Sequence, residues 1–430
     1  MRRIGAALLL LAACQHRVVA YGEIDRDVVV DLVTDVARIR RLSPLRPVHV
    51  RLQRAKDLRE SVRRDLADGV ASGAYARRAR AWGKVGLVPW GFDLAEWERR
   101  TYSDDPAGYY TTAERRLYIV DRAAFRSDVG EIWGAITGRD PVYGEALAHE
   151  VAHALVDQHH DLDRLLEGKL SSDVELAHRA LAEGDATRVG FEWTGGGSFA
   201  GHLDAIAPRF EALSADGTPD WLLLRTSLPY LAGGRIVERL HRRGGWRAVD
   251  AAYDDPPTSS EQLLHPARYP SDRPTVVTLP AAPLGDATGR RILDDTLGEL
   301  GMRCVLRRHL DRALSDRAAA GWDGDAVGVW ESEAGMLLVW KSVWDSVLDA
   351  AEWAAAYGLL IDRSYVRRDV VASSEGVRRS STDEGLVGVE RRDAEVLVYE
   401  GVPPDRLESF LAAAWATASP DVSVAPAGRP

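Results

Sequence analysis

The chain has 430 residues but only two cysteines, Cys14 and Cys304, and three methionines. Two cysteines cannot make a disulfide framework, so stability must come from core burial. The one strongly apolar run at the start, Ile4 to Ala13, is too short to span a bilayer, which takes about 20 apolar residues. No long repeat and no low-complexity segment is visible. The net charge of −10 speaks against nucleic acid as a partner. Arginine-rich patches such as Arg77-Arg78-Ala79-Arg80 are balanced by acids elsewhere and read as solvated helix faces. The length suggests two domains.

Arg2 and Arg3 precede the Ile4–Ala13 run, and small residues lead into Cys14. That is the pattern of a signal peptide. Leu11-Ala12-Ala13-Cys14 is similar to the lipobox of bacterial lipoproteins. The expectation is a cleaved signal over residues 1–13, a lipid on Cys14, and a protein anchored in the bacterial cell envelope, at the outer membrane or the periplasmic face. An ordinary signal peptide with an incidental cysteine is the alternative.

His149-Glu150-Val151-Ala152-His153 is the most informative stretch. It is an H-E-x-x-H motif. Residues four apart share one helix face, so both imidazoles can reach one Zn²⁺. Glu150 projects from the adjacent face, where a carboxylate can take a proton from a zinc-bound water. Leu147, Val151 and Leu155 form an apolar stripe on the other side, so the helix should be buried. Histidines satisfied by core hydrogen bonds are the plainer alternative.

Along the chain, Glu23–Arg41 reads as a helix, Val48–Leu52 as a strand, and Asp57–Leu66, Gly73–Trp82 and Phe92–Arg99 as helices. Gly108–Thr112 and Leu117–Val120 read as a β-hairpin ahead of the zinc helix, where an edge strand could receive a peptide by strand addition. Asp173–Val189 reads as a helix opened by a Ser172/Glu175 capping box. Gly195 to Gly201 reads as a loop. Beyond an extended link, Thr275–Pro283, Arg290–Ala318 reads as helical. Two strand pairs, 326–330 with 335–340 and 386–390 with 394–399, are each followed by a helix.

A catalytic zinc needs a third protein ligand. Glu183 lies thirty residues after His153 on a second helix, the gluzincin arrangement. His159 lies ten residues after His149, the metzincin spacing. That motif requires glycine where Val156 stands, in a φ > 0 turn that a β-branched residue resists. No Met-turn is evident either. The balance favours Glu183, with Gly184 after it permitting a close approach. Asp157, one turn beyond His153, could orient an imidazole.

The chain resembles a little-characterised family of exported bacterial and archaeal zinc metallopeptidase-like proteins. The match is carried by Ala107-Gly108-Tyr109-Tyr110, by Leu147 through Leu162, by Ala182-Glu183-Gly184-Asp185-Ala186, and by Pro256 to Pro266. Further matches are Ala320–Asp325, Trp344-Asp345 and Asp349–Glu352. Thr111 and Ser260 depart from the usual residues, but neither is a proposed ligand. The resemblance implies a peptidase-like site on a gluzincin fold. His265, or its rival Tyr230, could then donate to a tetrahedral oxyanion. A structural plug is the other reading of the Pro256–Pro266 segment.

The expectation is thus an α+β protein. A zincin-like (gluzincin) metallopeptidase domain, mostly helical with a small sheet, spans residues 14–272. A smaller α+β region spans 273–420, and a frayed tail 421–430. The expected activity is zinc-dependent hydrolysis of peptide or protein substrates. The alternatives are a non-peptidase zinc hydrolase and a dormant, lipid-anchored binding protein.

Overall fold

A computed structural model describes residues 17–103, 106–121, 143–166, 168–211 and 217–416. The expected signal peptide, Cys14 and the tail 421–430 lie outside the described residues. The chain opens with a short ribbon, β1 (Val19–Ala20) and β2 (Glu23–Ile24), then helix α1 (Arg26–Arg40). Asp25 caps α1, accepting from the amides of Asp27 and Val28, so this helix starts three residues later than its apolar spacing suggested. Next come β3 (His49–Gln53), α2 (Ala55–Ala71), α3 (Ala74–Val85), α4 (Leu94–Ser103), and the hairpin β4 (Gly108–Thr111) and β5 (Arg116–Val120). β3 pairs parallel to β5, and β4 pairs antiparallel to it, which leaves β4 on the edge.

Helices α5 (Gly144–His160), α6 (Leu162–Leu166), α7 (Ser172–Trp193), α8 (Phe199–Glu211), α9 (Asp220–Gly244), α10 (Trp246–Asp254) and α11 (Ser260–Leu264) follow. In α5, Leu147, Val151 and Leu155 are fully buried, as their stripe requires, and alanines cover the remaining buried side. The helix stops at Asp161, which takes a left-handed conformation (φ 52°). α7 is capped by Ser171, whose hydroxyl accepts from Val174 N. The expected Ser172/Glu175 capping box does not form: Ser172 lies inside the helix and bonds Asp295, while Glu175 pairs with Arg225.

The closest helix crossing is α7 on α9. A Cβ at Gly233 would lie 2.0 Å from the Ala180 carbonyl oxygen, and one at Gly184 would lie 2.3 Å from the Gly233 carbonyl carbon. Backbone meets backbone here, because only glycine leaves room. Gly233→Ala is therefore expected to force the helices apart and destabilise the fold by about 3 kcal/mol. Denaturant unfolding measures it; a midpoint unchanged from wild type would contradict this packing.

The C-terminal part holds β6 (Arg290–Asp295), α12 (Gly298–Arg307), α13 (Arg312–Ala319), β7 (Trp322–Ser332), β8 (Gly335–Trp344), α14 (Val347–Ser364), β9 (Asp369–Ser374), β10 (Val377–Thr382), β11 (Gly385–Arg392), β12 (Glu395–Val402) and α15 (Leu407–Ala416). Its strands form one seven-stranded antiparallel sheet in the order β6-β7-β8-β12-β11-β10-β9. The sheet is larger than expected, and two corrections account for it. Residues 290–295 form a strand rather than the start of a helix. β9 and β10 were missed because most of their side chains are at least partly exposed, so no apolar alternation marks them.

Strand β12 shows how the sheet is built. Val396 and Val398 face the main core, while Leu397 and Tyr399 face a second cluster with Phe410 and Ala414 of α15. The main core runs unbroken from Val36 and Trp82 through Leu155 and Trp221 to Leu300, Trp340 and Val398. It therefore crosses the boundary expected near residue 272. Trp330 and Trp340 are core residues, each 1% exposed. The protein is α+β with its large antiparallel sheet at the C-terminal end. Among the described residues no helix is long and apolar enough to cross a membrane.

Candidate metal centre

Two buried helices build the site. α5 carries His149 and His153 one turn apart, and α7 presents Glu183 opposite them. His149 Nε2 lies 3.0 Å from His153 Nε2 and 3.1 Å from Glu183 Oε2, and His153 Nε2 lies 3.4 Å from the same oxygen. Among the described residues this is the group of metal-ligating side chains that converges. A tetrahedral zinc with bonds of 2.0–2.2 Å sets its donor atoms roughly 3.3–3.6 Å apart, so the three atoms fit the ion with small adjustments. Two imidazole nitrogens aimed at each other across 3.0 Å need a proton or a cation between them.

The electrostatics follow from this convergence. Burial pushes the Glu183 carboxyl up, but the charge of His153 and hydrogen bonds from both histidines outweigh it and hold the group well below the usual range. Burial opposes charge on His153, yet Glu183, aided by Glu150 and Asp185, carries it up to about 9. Burial raises Glu150 against the pull of His149 and His153. For Tyr230 the charge of Glu183, and then burial, lift the phenol well above its ordinary value, so it stays protonated and can donate. Its ring stacks on His149 with centroids 5.9 Å apart. The α7–α9 glycine contact holds it there, three residues before Gly233.

The edge strand enters the site directly. Tyr110 N donates to Glu150 Oε2 (2.8 Å), and the Tyr110 hydroxyl donates to Asp157 Oδ2 (2.7 Å). Asp157 also accepts from Leu162 N (3.0 Å) and Arg46 (3.4 Å). It thus fastens β4 and the end of α5 together; neither imidazole is among these partners. Tyr110 was legible only as part of the hairpin. Nothing in its residue type announced that its amide would meet the H-E-x-x-H glutamate.

The other candidates are placed elsewhere. His159 is exposed and meets the Ser43 carbonyl through Nε2 (2.8 Å), so Glu183 rather than His159 completes the cluster. His265 caps the end of α11, with its ring on Glu299 (3.0 Å), and does not line the cavity beside the cluster. The oxyanion role considered for it does not suit that position, whereas Tyr230 is at hand. The Pro256–Pro266 segment is a plug. Ser259 caps α11, Ser260 N donates to Asp173 (2.9 Å), and Ser260 Oγ accepts from Leu300 N (3.1 Å), tying α7 to α12.

The cavity beside the cluster measures about 640 Å³, and His149, Glu150 and Tyr230 form one wall of it. A second cavity, about 400 Å³, lies between α14 and the β9–β10 hairpin, away from these residues.

Residues 287–410 match the model of a domain of unknown function (DUF8575). That stretch covers the seven-stranded sheet and none of the cluster. No curated protein and no solved structure matches the chain.

Proposed function

We propose that the protein is an exported zinc-dependent peptidase of the gluzincin type, with His149, His153 and Glu183 holding the ion. The observation that carries this reading is the convergence of the three donor atoms at 3.0–3.4 Å beside Glu150 and Tyr230. Bound zinc would supply Lewis acidity, acidifying a water and polarising the scissile carbonyl. The chain's own groups supply the rest. Glu150 takes a proton at Oε1 or Oε2 and can pass it to the leaving amine. Tyr230, kept protonated, donates from its hydroxyl to the developing oxyanion. Among the described residues no strand pairs with the outer side of β4, so an extended peptide laid along it runs past Glu150. This arrangement favours peptides over other amides.

The test is metal content with cleavage profiling of purified protein. About one zinc per chain is expected, lost in the His149→Ala/His153→Ala double variant. Glu183→Ala should lower zinc affinity by more than the roughly 10–100-fold typical of losing an outer partner of a ligand, and His159→Ala should leave it near wild type. The reverse order would move the third ligand to His159. The lipobox-like Leu11–Cys14 supports anchoring in the cell envelope; a processed Cys14→Ala protein that stays with membranes would remove that part of the reading.

A further inference from the structure

We infer that the cavity beside the cluster is a side-chain subsite selective for an aromatic residue adjoining the cleaved bond; this rests on the hydrolytic reading above. The walls make the case. From His149 a continuous stack leads into the cavity: Tyr230 lies on His149 at 5.9 Å, and Phe210 lies on Tyr230 at 5.4 Å with 27° between planes. Trp193 and Ile206 supply further apolar lining, and Gly190, at the end of α7 facing α5, keeps the floor free of a side chain. The cavity is within the size range of ligand pockets. Because one wall is the ligand His149 itself, whatever fills the cavity belongs to a residue next to the reacting carbonyl.

Charge does not select the occupant. Glu145 and Arg209 carry opposite signs at the rim, and Glu145 is paired with His202 at 3.2 Å. An acidic side chain would meet the Glu150 carboxylate and apolar rings, at a desolvation cost. A flat ring gains more than a branched aliphatic of similar size, because offset or edge contacts with Phe210, Trp193 and Tyr230 add to its area burial.

The test uses matched peptides differing only at the residue beside the cleaved bond: Tyr, Phe, Leu, Ala or Asp. Aromatic peptides should exceed alanine in kcat/KM by roughly one to two orders of magnitude. They should exceed leucine by roughly two- to twelvefold. Ile206→Trp, which narrows the cavity, should collapse the phenylalanine-to-alanine ratio. In parallel, N-acetyl-phenylalanine amide and N-acetyl-alanine amide are titrated against zinc-loaded wild type by intrinsic tryptophan fluorescence. Cleavage with leucine or alanine equal to phenylalanine overturns the subsite while leaving the peptidase reading intact. Tight, selective binding of the phenylalanine amide with no cleavage of any peptide does the opposite. An Ile206→Trp protein with an unchanged ratio also overturns the subsite.

Discussion

Glu150→Gln should bind zinc as wild type does and lose about two to four orders of magnitude in kcat, the usual scale for general acid–base catalysis. The substitution separates the strand-anchoring role of this carboxylate from the proton-accepting role proposed for it. Glu150 Oε2 accepts from Tyr110 N at 2.8 Å, which fixes the edge strand against α5. A glutamine oxygen can still accept that bond, so β4 should stay in place and KM should change little. What glutamine cannot do is take a proton. Glu150→Ala removes both functions and should raise KM as well, because β4 loses its anchor beside the cluster. A Glu150→Gln protein that cleaves at the wild-type rate overturns the mechanism. A wild-type protein that holds zinc but cleaves nothing in a broad peptide library shifts the reading to a dormant binding protein.

The cluster was legible because its chemistry is local. His149 and His153 are one helical turn apart, and any helix there puts them on one face. Glu183 required more: the chain had to return on a second helix, and the clue was the exclusion of His159 through Val156 together with Gly184. The structure bears out that close approach, but the partner of Gly184, Gly233, lies in a helix that was not expected. α9 runs 25 residues with Pro229 inside it, and an internal proline normally argues against a continuous helix. Tyr110, Phe210 and Trp193 were illegible as site residues for the same reason. Aromatics are ordinary core material, and only tertiary placement brings them to the cluster. The C-terminal sheet shows the complement: its buried strands β7, β8, β11 and β12 were found from their apolar residues, and the edge strand β9 and its less buried neighbour β10 were not.

The largest stability effect should come from a residue that touches no proposed ligand. Arg40, at the end of α1, is wholly buried, and its Nε reaches Asp185 Oδ1 (2.8 Å) and Oδ2 (3.1 Å). Its Nη2 bonds Asp250 (2.6 Å), its guanidinium lies over the Trp246 ring at 4.5 Å, and Tyr253 adds a hydroxyl to Asp185 (2.9 Å). α1, α7 and α10 are thus joined around one arginine, with Asp185 two residues beyond Glu183. Arg40→Met keeps much of the volume but leaves the fully buried Asp185 carboxylate without its counter-ion. Breaking a buried pair from one side costs about 3–5 kcal/mol, against a total stability of about 5–15 kcal/mol for an ordinary domain. The apparent melting temperature and the denaturant midpoint should both fall sharply. An Arg40→Met/Asp185→Leu double variant removes both charges, and it should recover a large part of the loss, because the cost lies in the orphaned charge rather than in a missing attraction. If the single variant costs less than about 1 kcal/mol, the scale of an exposed ion pair, then solvent reaches Asp185 and the pair is not buried as described. If the double variant is no better than the single one, the arginine stabilises through its stacking on Trp246 instead, and Arg40→Lys should then fail as badly as Arg40→Met.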